Sequence, residues 1–561
     1  MAAWDREVNI TSIDGVPVVW AEAAGPLRAT LMFRVGRVDE KLAWGGITHL
    51  VEHLALFHLG PRQTYEFNGA VTSNRTLFYA SGSPQEIVTF LGHVTTSLAN
   101  LPLDRAETEK SVLLAEASSR PLSPADVMFS LRFGARGNGL HRYKEFGLYH
   151  LTPDWIKWWA TRCFTRDNAV LWMSGPPPSD LRLQLPPGQR LADVPVTPLP
   201  LSLPAYAQAN VGGAGVSMVA ARSTALAMAS SVAATRLLQR LRYEKGIAYS
   251  VQGGYFPMDQ QQAHVSLWTD AQQGQAATVL ENSVHSIYGM STEGPSPGEL
   301  AEEVETFTRN LDRDEAPLHW LDRTAVRLLN GEPVQRPSEL VEDMRSVTPS
   351  AARDAMASAL RTAIYLGPSD VPAPAGIHAY VIPSVDRVRG QVLQHVGGQR
   401  LKHPPELTFG DDGVTMDINP DDRVTVRYQA CEAVIKYGDG GICLVGSDGS
   451  FMPINPGEWV QAPAAIQRVL QLVPPEVVAP IPNEKTVLAV NVPAPQPKSS
   501  GFAPMGVTVE RWIGLFVFVA VAVALLAFAF FGNASRIGSG PPLISLVIWF
   551  LIGLRFVRRL L

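Results

Sequence analysis

The sequence predicts an α+β protein: two similar halves of mixed strand and helix, a small β-rich segment, and a C-terminal transmembrane helical hairpin. Three observations carry this expectation. Strand-like and helix-like segments run through the same coarse order twice, over residues 1–200 and 201–376. Short strand-like runs separated by turn signals then fill residues 377–473. Two charge-free apolar runs, 512–531 and 541–554, close the chain. Pro-rich breaks at 195–204 and 367–376 set the boundaries.

In the first half, residues 18–21, 29–35 and 76–80 are apolar and β-branched enough to read as strands. Residues 84–98, 104–118 and 155–163 have helical spacing, and 169–173 reads as a buried strand. The second half repeats the theme. Strands are expected at 216–220, 248–254, 264–268 and 362–366, with helices at 225–242, 298–310 and 349–359. In the third segment, strands are expected at 413–417, 423–429, 431–437, 441–445 and 450–454, with a helix at 464–472 that Pro463 starts. Strands closed by one helix give the outline of a pleckstrin-homology-like barrel, a likeness of shape alone. A docking or regulatory module is expected there.

Net charge is −5 and no basic stripe is evident, so nucleic acid is not an expected partner. Cys163, Cys431 and Cys443 have no C-x-x-C spacing, which argues against a disulfide framework and suits a reducing compartment. No basic segment followed by an apolar core opens the chain, so no signal peptide is expected.

The run 512–531 is twenty residues without a charge, enough to cross a bilayer core of ~30 Å as a helix. The run 541–554 is short for a span; Phe556 and Val557 extend it if Arg555 snorkels, and an interfacial or re-entrant helix is the competing reading. Arg555, Arg558 and Arg559 follow the second run, while the intervening loop carries only Arg536. The positive-inside rule then puts both ends of a hairpin over 511–561 in the cytoplasm. The expected location is the cell (inner) membrane, multi-pass, with the larger part facing the cytoplasm. The Pro-rich stretch 474–510 reads as an extended tether. A transporter is disfavoured because the spans hold no interior ionisable residue.

Chemistry concentrates in His49-Leu50-Val51-Glu52-His53, an H-x-x-E-H run. On a helix, His49 and His53 lie one turn apart on one face, so both imidazoles can reach one metal. Glu52 is close enough to act as base on a water at that metal, which is the requirement of zinc-assisted hydrolysis. One helix cannot supply a third protein ligand. Residues 104–118 carry Glu107, Glu109 and Glu116; Glu109 and Glu116 are seven apart and share a face. By spacing alone these glutamates also fit a solvated acidic surface.

Resemblance resolves that choice. The segment 46–55, with Asn68-Gly69-Ala70-Val71-Thr72-Ser73 after it and Glu109…Glu116 beyond, resembles the pitrilysin or insulinase-like (M16) metallopeptidases, the family that includes the mitochondrial processing peptidase. Residues 151–155 and 164–170 resemble the close of that family's half, and 235–251 its C-terminal signature. The likeness spans about residues 8–370. It implies two homologous pitrilysin-type halves, one Zn2+ per chain on His49, His53 and Glu116, and Glu109 as a supporting acid. It further implies that Arg242 and Tyr249 stabilise the charge developing on a peptide carbonyl. The 62-residue gap from His53 to Glu116 (residues 54–115) is shorter than the family's usual spacing and reads as a trimmed loop.

The resemblance also implies an enclosed chamber of four halves, of which this chain supplies two. A homodimer, or a heterodimer with a related chain, is therefore expected, with Arg242 and Tyr249 acting in trans on short or unfolded peptides. Two readings stay open: a membrane-tethered zinc peptidase, and a non-catalytic scaffold or peptide-binding subunit of a membrane-associated complex.

Overall fold

Two six-stranded sheets of matching topology organise the chain. The computed structural model describes residues 8–482 apart from 61–62, 120–122, 210, 383–385, 397–402 and 420–421. The first half contains β1 (Asn9–Ile13), β2 (Val16–Trp20), β3 (Leu27–Phe33), β4 (Glu66–Val71), β5 (Thr76–Gly82) and β6 (Ala169–Met173). Its helices are α1 (Ile47–Leu56), α2 (Pro84–Ala99), α3 (Ala106–Ser119), α4 (Pro124–Phe133) and α5 (Pro153–Cys163). The second half contains β7 (Ala205–Gln208), β8 (Gly213–Ala221), β9 (Val251–Pro257), β10 (Gln262–Asp270) and β11 (Ile364–Gly367). Its helices are α6 (Thr224–Leu238), α7 (Ala276–Thr292), α8 (Pro297–Asn310), α9 (Ala316–Leu329), α10 (Pro337–Ser346) and α11 (Pro349–Leu360).

Strand order is β1-β2-β6-β3-β5-β4 in the first sheet; in the second, β12 (His378–Ala379) gives β12-β7-β11-β8-β10-β9. Strands β2 to β6 and β7 to β11 occupy equivalent places. In each set of five the first strand pairs parallel with the last and the other neighbours within the set are antiparallel; outside the sets, β1 joins β2 antiparallel and β12 joins β7 parallel. The duplication expected from the sequence is thus present in topology.

One face of each sheet packs on its own helices. Leu31, Phe33, Phe78 and Leu171 meet Leu50 and Leu54 of α1, Phe90 of α2 and Trp159 of α5. Val216, Met218, Val265 and Leu267 meet helices α6, α7 and α11. The opposite faces are covered reciprocally. Helix α9 of the second half lays Leu321, Ala325 and Leu329 on Val19, Met32, Val170 and Trp172 of the first sheet. Helix α4 of the first half lays Val127, Met128 and Leu131 on Trp268, Ile364 and Leu366 of the second. Strands buried on both faces read as unbroken apolar runs, as in Ala169-Val170-Leu171-Trp172-Met173.

The third part holds β13 (Gly390–Gln394), β14 (Glu406–Gly410), β15 (Gly413–Asn419), β16 (Asp422–Arg427), β17 (Cys431–Lys436), β18 (Ile442–Gly446), β19 (Phe451–Ile454), α12 (Ala462–Leu472) and β20 (Val478–Pro480). Its sheets run β13-β14-β15-β16 and β19-β18-β17-β20, with α12 packed on their shared core. Cys431 faces that core and Cys443 the opposite side of the sheet; both thiols are free, and burial pushes each up to about 12.

Several expectations shift. The helix expected over 225–242 stops at Leu238, and Gln239–Glu244 continues as a π-helical turn. The strand expected at 248–254 lies at Val251–Pro257, because Tyr249 and Ser250 give their N–H groups to the Asp270 carboxylate. Proline at 474–480 does not make a free tether; Pro475–Val477 turns and Val478–Pro480 joins β17 as a parallel strand. The remainder of the tether and the hairpin over 511–561 lie outside the described residues. Among the described residues no helix is long and apolar enough to cross a membrane.

Arg132 at the end of α4 ties the halves together, donating to the Ser217 and Thr362 carbonyls at 2.6 and 2.7 Å and to Ser217 Oγ at 3.2 Å. Ser217 in turn meets Nε2 of fully buried His264 at 2.9 Å. Burial, with the Arg132 charge behind it, holds His264 down at about 3. His264 therefore stays neutral while the unfolded chain protonates it below about pH 6.5, so stability falls as pH drops from about 6.5 towards 3. We expect His264→Gln to remove part of this acid sensitivity, about 2 kcal/mol at pH 5, read as a smaller shift of the urea midpoint between pH 7.5 and pH 5.

Candidate metal centre

Helix α1 starts abruptly. Gly46 takes a left-handed φ of 94°, and the buried Glu40 carboxylate accepts the Gly46 and Thr48 N–H groups at 2.9 and 3.0 Å. An acidic group at a helix N-terminus satisfies orphan donors and complements the helix dipole. Ile47, Leu50, Val51, Leu54 and Ala55 form the apolar stripe that the first core buries completely. With that stripe fixed, His49, Glu52 and His53 fall on the remaining face.

The two imidazoles stand edge to face, ring centroids 5.0 Å apart. Each Nδ1 meets a carboxylate. His49 Nδ1 lies 3.3 Å from both oxygens of Glu145, and His53 Nδ1 lies 3.3 Å from Glu109 Oε2. An ionised carboxylate can only accept, so facing one favours the neutral tautomer with hydrogen on Nδ1 and a lone pair on Nε2. On that side of each ring, His49 Nε2 is 3.7 Å from Glu52 Oε2, and His53 Nε2 is 3.9 Å from Glu116 Oε2.

One ligand atom from each of His49, His53 and Glu116 can be chosen so that all lie within 4.8 Å of one another. Tetrahedral zinc needs donor atoms roughly 3.4 Å apart, so small side-chain adjustments close the set. The donors suit zinc in kind as well: two neutral nitrogens and one carboxylate, with carboxylates behind both imidazoles. The residues fit the ion.

Helix α3 supplies both glutamates. Lys110, buried on it, donates to the Leu151 carbonyl at 2.5 Å and fixes the helix against the segment before α5. Glu109 is turned inward beneath His53, while the Glu116 side chain is half exposed. Glu52 is buried, and β4 runs directly over it: a Cβ on Gly69 would lie 2.2 Å from Glu52 Oε1. Burial raises the Glu52 carboxyl to about 7; His49 opposes the rise, and the Glu116 and Glu145 charges add to it. Burial alone would lower His49, but the Glu145 hydrogen bond and the surrounding carboxylates raise it overall. His53 is lowered, by burial and by His49, against the pull of Glu109 and Glu116.

The structure therefore brings together His49, Glu52, His53, Glu109 and Glu116. Arg242 and Tyr249 form a separate group in the second half, on the π-helical turn and the loop before β9. The Arg242 guanidinium lies 4.7 Å from the Tyr249 ring centre and 5.5 Å from that of Tyr243. Both tyrosines are open to solvent, 73% and 65% exposed. Sequence reasoning missed Glu40 and Glu145, which meet α1 from elsewhere in the chain and carry no spacing signal; Gly69 entered only within the block 68–73, without a role.

No protein-family model matches the chain, and no curated protein matches it in sequence. Solved structures do. The inactive domain of an M16 peptidase from Pseudomonas fluorescens superposes with TM-score 0.54 at 14% identity, over 65% of this chain and 100% of that one. The chain has the M16 peptidase fold. The first half of the periplasmic protease PqqL from Escherichia coli gives 0.52 at 13% identity, over 65% and 92%. A protease from Helicobacter pylori gives 0.52 at 15%, over 64% and 99%. At these identities the likeness is one of fold.

Because the start of α1 hangs on Glu40, Glu40→Ala leaves two buried N–H groups without their acceptor. We expect a loss of about 1–3 kcal/mol in urea unfolding, with the midpoint lowered and the slope unchanged.

Proposed function

We propose that this chain is a membrane-anchored zinc metalloendopeptidase that hydrolyses peptide bonds in short or unfolded peptides. The observation that carries the reading is the clustering of one ring nitrogen each of His49 and His53 with a Glu116 carboxylate oxygen, all within 4.8 Å of one another, with the Glu52 carboxylate 3.7 Å from His49 Nε2. The M16 fold supports it. Zinc, when bound, supplies Lewis acidity and lowers the pKa of a water there.

The chain's own residues do the rest. Glu52, buried and set near the middle of the pH range, accepts a proton from the attacking water at its carboxylate and returns it to the leaving amine. Glu109 holds His53 in the tautomer that leaves Nε2 free. Arg242 and Tyr249 donate hydrogen bonds to the carbonyl oxygen as it gains charge. They belong to the second half, so we assign this role to the Arg242–Tyr249 pair of a second copy, or of a related chain, in a dimeric chamber. The apolar runs 512–531 and 541–554 would anchor the assembly, with the peptidase halves on the cytoplasmic side.

The non-catalytic alternative draws on the inactive domain among the structural neighbours. The intact ligand set and a buried, positioned Glu52 favour the enzyme.

Glu52→Gln should keep zinc, measured by elemental analysis, and lose cleavage of a quenched peptide library by at least about 100-fold. Turnover near that of the parent would end the assignment. Mixing Glu52→Gln chains with Arg242→Ala chains should restore part of the activity that neither shows alone. A mixture no more active than its components would remove the trans arrangement while leaving the zinc site standing.

A further inference from the structure

Glu145 reaches His49 from a short arm, residues 143–149, between α4 and α5. The carboxylate is itself fixed. Arg37 Nη1 lies 3.1 Å from Glu145 Oε1, and the same guanidinium donates to the Tyr143 carbonyl. The arm is pressed onto the residues that lead into α1. Gly147 N–H donates to the Gly45 carbonyl at 3.0 Å, and a Cβ on Gly147 would lie 2.7 Å from the Trp44 carbonyl carbon. A Cβ on Gly46 would lie 2.8 Å from Glu145 Cβ. Contact this close leaves the arm little room to move independently of α1.

The arm's other side belongs to the third part of the chain. Leu42, Ala43, Leu140, Tyr143 and Phe146 share one core with Ala433, Ile435, Cys443, Val445, Ala479 and Ile481. Hydrogen bonds pin the edges: Trp44 Nε1 donates to the Glu476 carbonyl at 2.9 Å, and Ala135 N–H to the Ser447 carbonyl at 3.1 Å. Strand alternation sorts the two faces. Val434, Ile442 and Leu444 turn into the third part's own core, while Ala433, Ile435, Cys443 and Val445 turn towards the arm.

We propose that β17, β18 and β20 are the backing of the metal site: packed against residues 143–149, they hold Glu145 on His49 and so set how tightly the site takes zinc. Glu145 is then a positioning residue, and the third part serves the chemistry without touching it. The inference rests on the zinc reading above. A carboxylate behind a ligating histidine fixes its tautomer and ring orientation, and loss of such a partner costs about 10–100-fold in metal affinity.

The test is zinc affinity of the purified full chain, by competition with a chromogenic chelator, alongside melting of the zinc-free protein. Glu145→Gln should bind zinc about 10–100-fold more weakly than the parent. Ile435→Ala and Leu444→Ala form a matched pair, each opening a cavity beside the same sheet on opposite faces. Both should lower the melting temperature. Only Ile435→Ala should weaken zinc, by several-fold. Affinity within about twofold of the parent for Glu145→Gln would overturn its positioning role. Equal effects of Ile435→Ala and Leu444→Ala on zinc would overturn the backing role. A parent chain that takes up no zinc would instead sink the peptidase reading itself, and this inference with it.

Discussion

The orientation of two imidazoles on one short helix is the constraint on which the rest depends. Helix α1 has a single face to spare, because Ile47, Leu50, Val51 and Leu54 are wholly buried in the first core. A histidine on that face can still rotate and can protonate at either nitrogen. Carboxylates from two distant places remove that freedom: Glu109 on α3 for His53, and Glu145 on the arm for His49. His49 Nε2 then faces Glu52, and His53 Nε2 faces Glu116. Without those two acids, the histidines would share a helix but not a direction.

Holding these groups requires much of the molecule. Helix α3 is tied down through Lys110, α1 is started by Glu40, and β4 lies over Glu52 closely enough that a Cβ at 69 would displace its carboxylate. The sheet beneath α1 is covered on its far side by α9, which belongs to the other half. Helix α4 returns the arrangement on the second sheet. Neither half therefore buries its own second face, and the duplicated topology works as one interlocked body rather than as two beads.

A good share of this was legible in the sequence. The H-x-x-E-H run, read as a helix, placed His49 and His53 one turn apart on one face. Seven-residue spacing put Glu109 and Glu116 on one face, and the structure turns both towards His53. The sequence reading passes over α7, α9 and α10, although each carries an apolar stripe, and other missed elements are defined by their surroundings. Helix α4 buries Ser130 and Arg132 along with its apolar residues because two halves enclose it, and β7 and β20 are short strands recognisable only beside the partners they pair with. The π-helical turn at Gln239–Glu244 carries a helical pattern in sequence, and only the backbone distinguishes it from α-helix.

By itself, then, the sequence determined the chemistry available: which side chains could ligate a metal, which could take a proton, and the helical spacing that sets them side by side. Those are local properties, fixed by residue type and by a repeat of 3.6 residues per turn. Only the tertiary structure decided which nitrogen of each histidine faces the site, which carboxylates stand behind them, and that β17 and β18 present one face to the arm carrying Glu145. Such choices depend on contacts such as that between Glu145 and His49, 96 positions apart, and no local pattern encodes a pairing made across that distance.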